Sequence, residues 1–166
     1  MKNSYEIERK YLIAVPDFSK LNILNRRDII QTYLKKDEKG LQRRVRKITE
    51  AEKTFYIYTE KKFLSPLVRE ELEYEITADE YLSFLKQAET SLVPVEKTRY
   101  DFSFREQLFE IDVYSFDSDF AIMELEIDSP EQEIFLPDFI KVIKEVTDDG
   151  RYSNASLAIA GTFPYQ

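Results

Sequence analysis

Charged side chains two residues apart recur along this chain in blocks of one sign. YEIERKYLI (5–13) carries Glu6, Glu8 and Lys10; LQRRVRKI (41–48) carries Gln42, Arg44 and Arg46. TFYIYTEKKF (54–63) sets Thr59 beside Lys61, and VREELEYEI (68–76) sets Glu71, Glu73 and Glu75 in a row. VEKTRYDFSFRE (95–106) gives Lys97, Arg99 and Asp101. QLFEIDVYSF (107–116) gives Glu110 and Asp112, and FAIMELEID (120–128) gives Glu124, Glu126 and Asp128. In an extended chain each block shares one face. Arginine offers phosphate a two-pronged fork and lysine a point charge. Carboxylates in threes suit Mg²⁺ or Mn²⁺, hard ions that bridge phosphates. Together such faces would suit a polyphosphate chain with metal.

The elements that must position these rows are mostly strands. Besides the seven segments above, IIQTYLKK (29–36) alternates in the same way, and VREELEYEI is followed by a break. Short polar links such as DEKG, TEAEK and DSD suit hairpins of an antiparallel meander. Helices interrupt the pattern. TADEYLSFLKQAE opens with a capping box, Thr77 and Glu80, and continues through Leu82, Leu85 and Ala88. LPDFIKVIKEV (136–146) reads as a helix entered at Pro137, and SNASLAIAG (153–161) as one between Ser153 and Gly161. DFSKLNILNRRD (17–28) is a weaker helical candidate. The class is α+β with strands dominating, in one domain spanning 1–166.

Two arrangements satisfy the alternation. One is a half-buried sheet whose charged face is solvated. The other is a closed barrel turned inside out, with apolar residues outward under helices and charges lining the interior. Same-sign blocks favour the second, because a solvent face normally mixes signs. Buried charge at that density requires compensation, which an anionic ligand and divalent cations would provide.

Composition removes other chemistries. The 166 residues include no cysteine and no histidine, so disulfides, thiolate sites and imidazole bases are excluded. Three glycines leave no phosphate-cradling glycine loop. A net charge of −8 argues against a nucleic-acid partner. No apolar run approaches a membrane span, and no secretory h-region opens the chain, so the expected location is the cytoplasm.

The E-x-E-x-K strand of Glu6, Glu8 and Lys10 resembles the signature of the CYTH domain, the triphosphate tunnel metalloenzymes. QTYL, RRVRK, TEKK, REELEYEI, EKTRY, FEIDVY, MELEI and EVTDDGRYSNASLA follow in the family's order, to about residue 160. The resemblance implies an eight-stranded antiparallel barrel forming a tunnel, with helices outside. It implies that Lys10, Arg44, Arg46, Lys61, Lys97 and Arg99 bind the phosphate chain. Glu6, Glu8, Asp112, Glu124 and Glu126 are implied metal ligands for Mg²⁺ or Mn²⁺, two ions, with no organic cofactor. Glu73 and Glu75, with Glu71 one step along, are implied catalytic acids. Tyr33 matches a tyrosine near the signature lysine, and the Lys10 ammonium would lower its pKa; the other reading is a plain lining hydroxyl.

The implied activity is hydrolysis of a triphosphate, with inorganic triphosphate favoured over nucleoside or thiamine triphosphate. A class IV adenylyl cyclase and a non-catalytic nucleotide- or polyphosphate-binding module are the alternatives. The partner is a small triphosphate; the family also allows a homodimer. Arg43, Lys47, Lys35 and Lys62 fall outside the charged rows and read as surface charges, as does Glu60. Arg151 and Tyr152 either close one tunnel mouth or lead into a helix capped by Ser153 or Asn154.

Overall fold

Alternating charge and hydrophobe becomes strand throughout. The computed structural model describes residues 2–65 and 67–164, with side chains from residue 7 onward. Its strands are β1 (Lys2–Ala14), β2 (Ile23–Tyr33), β3 (Gln42–Glu50), β4 (Lys53–Phe63), β5 (Val68–Ile76), β6 (Val95–Phe104), β7 (Gln107–Tyr114), β8 (Phe120–Glu126) and β9 (Val142–Glu145). Two helices, α1 (Ala78–Leu85) and α2 (Asn154–Ala160), join them. Neighbours pair antiparallel in the order β5-β4-β3-β2-β6-β7-β8-β1, and β1 pairs back onto β5. That last pairing closes an eight-stranded barrel, with β9 added outside the ring. Closure joins all eight strands in a ring, although the β1–β5 pairing covers only Lys2–Ile7 of β1.

Closure sorts the two faces of every strand. Tyr11, Ile13, Phe102, Phe109, Ile111, Met123 and Leu125 point outward into one apolar cluster. Leu34, Val45, Tyr58 and Ile76 form a second outer cluster under Tyr81, Phe84 and Leu85 of α1. The α1 capping box is present in full at Thr77 and Glu80, but Leu82 faces solvent. Tyr81 and Phe84 take the inward positions, because their rings reach Tyr56 and Tyr58.

Two helical expectations fail for the same reason: a sheet edge needed a partner. The 17–28 segment keeps only a 3-10 turn at Phe18–Lys20, held by Asp17, before β2 begins. Phe18 stacks on Tyr100 with centroids 3.9 Å apart, and Ile23–Gln31 then pair along β6. In the 136–146 segment a turn closes from Ile140 to Pro137, and β9 follows. Beyond Tyr11, β1 has left β5, and β9 supplies hydrogen bonds to that bare edge. The first outer cluster is therefore covered by Phe18, Leu21, Ile134, Leu136 and Ile140 on irregular chain, not by a helix.

The barrel's two ends differ. Interior-facing Leu12, Tyr33, Tyr114 and Ile122 meet Tyr152, Leu157, Ala158 and Phe163 in a third cluster. That end is filled by apolar side chains around α2. Ser153 caps α2 by accepting from the Ser156 amide at 3.1 Å, and left-handed Gly161 ends it. Tyr152 thus belongs to the stopper, whereas Arg151 lies outside and pairs with Asp149.

The outer clusters hold the barrel shut, so truncation there should be costly. Phe109 is fully buried and stacks on Phe102 at 4.9 Å. Phe109→Ala should lower unfolding free energy by about 3–5 kcal/mol, read from urea denaturation.

Candidate active site

Register brings the charged rows to one lumen. Lys10 lies opposite Glu124 and Glu8 opposite Glu126 across β1 and β8. Arg44 faces both Tyr33 and Thr59, Lys61 faces Glu71, and Thr59 faces Glu73. Arg27 faces Arg99, which faces Asp112. The resulting cavity holds about 500 Å³ and is lined by, among others, Glu8, Lys10, Tyr33, Arg44, Arg46, Lys61, Arg69, Glu71, Glu73, Arg99, Glu110, Glu124 and Glu126.

Inside, almost every cation has an acid. Arg69 donates to Glu8 at 2.6 Å, Lys61 lies 3.0 Å from Glu71, and Lys10 lies 3.5 Å from Glu124. Arg46 and the Thr59 hydroxyl both donate to Glu73. Arg27 holds Asp101, and Arg99 forks onto Asp112 at 2.7 and 2.9 Å. Arg44 is the exception. Among the described residues no carboxylate lies within 4.0 Å of its guanidinium, although the residue is buried and its Nε lacks a partner.

These surroundings move the titrations. Burial, then repulsion from Arg44 and Arg69, brings Lys61 down to about 7. Burial and Arg44 bring Arg46 down to about 9. Burial alone would raise Glu8, but the hydrogen bond and charge of Arg69, with Lys10 and Lys61, outweigh it and leave Glu8 at about 2. Burial would likewise raise Asp112, yet Arg99 and Lys97 hold it well below the usual carboxylate range.

Several expected residues sit differently from the rest. Lys97 does not line the cavity: its ammonium is enclosed, 2.8 Å from Asp112 and 3.5 Å from Asn154, and burial lowers it to about 8. Asp112 is held between Lys97 and Arg99 and is not on the cavity lining. Glu75 is exposed and off the cavity lining. Glu6 pairs through its backbone with Arg69, and its side chain lies outside the described residues. Of the two readings of Tyr33, the lowered phenol does not hold: burial raises it, while Arg44 and a 2.8 Å bond from Gln31 offset only part of that. Tyr33 is therefore a phenol at neutral pH. Arg43 reaches Lys35 and Gln87 outside the barrel, and Lys35 and Lys62 are exposed.

Sequence reading missed Arg27, Arg69 and the loop positions Thr147, Asp148 and Asp149, all on the cavity lining; it marks the neighbouring Arg151 and Tyr152, neither of which lines the cavity. Arg69 shares the parity of Glu71 and Glu73, and that signal was available. Arg27 was hidden in a segment read as helical. The loop has no periodicity, and only folding brings it to the barrel.

The donor set on one wall fits a hard cation. Glu8, Glu124 and Glu126 offer only carboxylate oxygens from adjacent strands, and the chain has no imidazole or thiolate to compete. Among the described residues no three acids already converge tightly enough to enclose an ion. Glu8 is engaged with Arg69, so a cation there would compete with that guanidinium.

The family model for the CYTH domain matches residues 4–155. Among solved structures, the inorganic triphosphatase NE1496 is 30% identical, covering 92% of this chain and 97% of that one, with a TM-score of 0.60. PH1819 from Pyrococcus horikoshii OT3 is 18% identical over 75% of this chain and 80% of that one, with a TM-score of 0.58. HpAC1 from Hippeastrum, a candidate adenylyl cyclase described as having a dominant triphosphatase activity, is 15% identical over 75% and 81%, with a TM-score of 0.52. The last two likenesses concern the fold alone. No curated protein matches the chain.

Lys61 yields a pH prediction. Its folded value of about 7 lies below the unfolded 10.5, so protonation opposes folding. The penalty is complete below about 7 and vanishes above the unfolded value. Wild-type stability should therefore rise relative to Lys61→Met between pH 7 and pH 9, as read from urea midpoints at each pH; parallel curves would contradict this.

Proposed function

The chain belongs to the CYTH family, and from that premise we propose that it is a cytoplasmic, divalent-metal-dependent triphosphatase. The favoured substrate is inorganic triphosphate, with nucleoside or thiamine triphosphate behind it. One observation carries the reading: a closed lumen of paired charges contains a buried guanidinium, Arg44, with no carboxylate of its own among the described residues. A linear polyanion supplies that missing charge. The 30% identical inorganic triphosphatase, aligned over nearly both chains, supports the same substrate class.

In this mechanism Arg44, Arg46, Lys61, Arg99 and Lys10 hold the phosphate oxygens. Lys97 and Asp112 fix Arg99 from behind. Glu8, Glu124 and Glu126 would hold Mg²⁺ or Mn²⁺, whose chemistry is Lewis-acid polarisation of phosphoryl oxygens. Glu73, already accepting from Arg46 and Thr59, orients the attacking water on the terminal phosphorus. The new P–O bond forms as the bond to the bridging oxygen breaks. That oxygen leaves with its electron pair on pyrophosphate, and one water proton passes to the Glu73 carboxylate. Catalysis in such a site is mainly positioning and neutralisation of developing charge.

A panel of tripolyphosphate, ATP and thiamine triphosphate tests the proposal. Orthophosphate should appear from tripolyphosphate with Mg²⁺ or Mn²⁺ and cease with a chelator. Cyclic AMP and pyrophosphate from ATP, with no orthophosphate from any substrate, would replace this reading by the cyclase. Arg44→Ala should weaken tripolyphosphate binding by about 1.5–3 kcal/mol, the scale of a charged hydrogen bond; calorimetry showing unchanged affinity would remove Arg44 from the site.

A further inference from the structure

β1 changes partners where its functional residues sit. Along one edge Lys2–Ile7 pair with β5 and Tyr11–Ile13 pair with β9, leaving Glu8, Arg9 and Lys10 between the two strands. Glu8 and Lys10 line the cavity, while Arg9 faces outward. No strand holds this edge. The Val146 amide donates to the Lys10 carbonyl at 2.8 Å, and the Lys10 amide donates to Thr147 Oγ1 at 3.0 Å. The Thr147 hydroxyl donates to Glu145 Oε2 at 2.6 Å. Glu145 takes two bonds of 2.6 Å from Arg9. The bonds thus form a loop that leaves β1 at Lys10 and returns at Arg9.

We infer that Arg9, Glu145 and Thr147 form a clamp running from the outer face to the cavity rim that sets where Glu8 and Lys10 stand inside the tunnel. An exposed ion pair adds little stability, and here its value is positional. A forked pair with a fixed hydroxyl admits one geometry, whereas a bare strand edge could slide. Glu8 and Lys10 belong to the cation and phosphate sites of the proposed function, so the clamp's consequence for turnover rests on that reading. Arg9 and Glu145 lie off the cavity lining, and the Thr147 hydroxyl, at its rim, is engaged by the Lys10 amide and Glu145, so all three are positioning residues.

The test combines turnover with amide exchange. Thr147→Val keeps the side chain's shape and removes its hydroxyl; Thr147→Ser keeps the hydroxyl. Thr147→Val should lower kcat/KM for tripolyphosphate by about 10- to 100-fold, as loss of a supporting contact does. Thr147→Ser should stay near wild type, and Arg9→Lys, which keeps the charge but loses the fork onto Glu145, should fall between Thr147→Val and wild type. Hydrogen exchange at the Lys10 amide should speed up in Thr147→Val while exchange at Met123 and Leu125 does not. Uniform acceleration through the barrel, or faster Lys10 exchange with unchanged kcat/KM, would overturn the inference. If wild-type protein neither binds nor hydrolyses tripolyphosphate, the proposed function fails, and Lys10 exchange alone then decides the clamp.

Discussion

A charge withdrawn from water must meet an opposite charge, and the barrel is organised around that requirement. Removing one partner of a buried pair leaves the other stranded at a cost of about 3–5 kcal/mol. Each cationic row therefore faces an acidic one: Lys61 against Glu71, Arg46 against Glu73, Arg99 against Asp112, Arg69 against Glu8. The antiparallel register sets Lys61 opposite Glu71 and Arg99 opposite Asp112, while Arg46 reaches across β4 to Glu73 and Arg69 reaches diagonally to Glu8. Apolar residues on the alternate positions then have to face outward, and they bury themselves under α1 and under the irregular chain around Ile134 and Ile140.

The pairing is close to complete and not complete. Arg44 sits in the cavity without an acid among the described residues, and repulsion from it is felt at Lys61 and Arg46. Positive charge is thus crowded around Arg44, Arg46 and Lys61. The opposite wall, with Glu8, Glu124 and Glu126, is acidic. One end is stoppered by apolar contacts from Tyr152 and α2, where Asn154 also accepts from Tyr114 at 2.6 Å. A polarised cavity sealed at one end is suited to a ligand that carries anion and cation together.

Much of this was legible in the alternation, because a period of two records which face a residue takes whatever the tertiary context. The eight barrel strands follow from it, α1 and α2 were marked by their caps, and the charged interior was one of two arrangements the alternation allowed, with the ordered motifs pointing to it through the family. What the pattern could not convey was pairing. The 17–28 and 136–146 segments carry apolar spacing acceptable to a helix, and only a vacant strand edge on β6 or β1 turns them extended. Tyr33 shows the same limit. Its nearness to a lysine in the motif suggested a lowered pKa, but burial among Leu12, Tyr114 and Ile122 decides the direction. Lys97 and Asp112 read as ligand contacts through the family resemblance; their mutual burial at 2.8 Å was not visible in spacing.

The central claim is that the lumen's charges are arranged for a polyphosphate. Thermal unfolding with and without tripolyphosphate, at matched ionic strength, measures this directly. Ligand at about 100 times its dissociation constant should add about 2.7 kcal/mol of stability, seen as a higher Tm. The gain should exceed that from sulfate at equal ionic strength. A Tm that moves no further with tripolyphosphate than with sulfate would contradict the account.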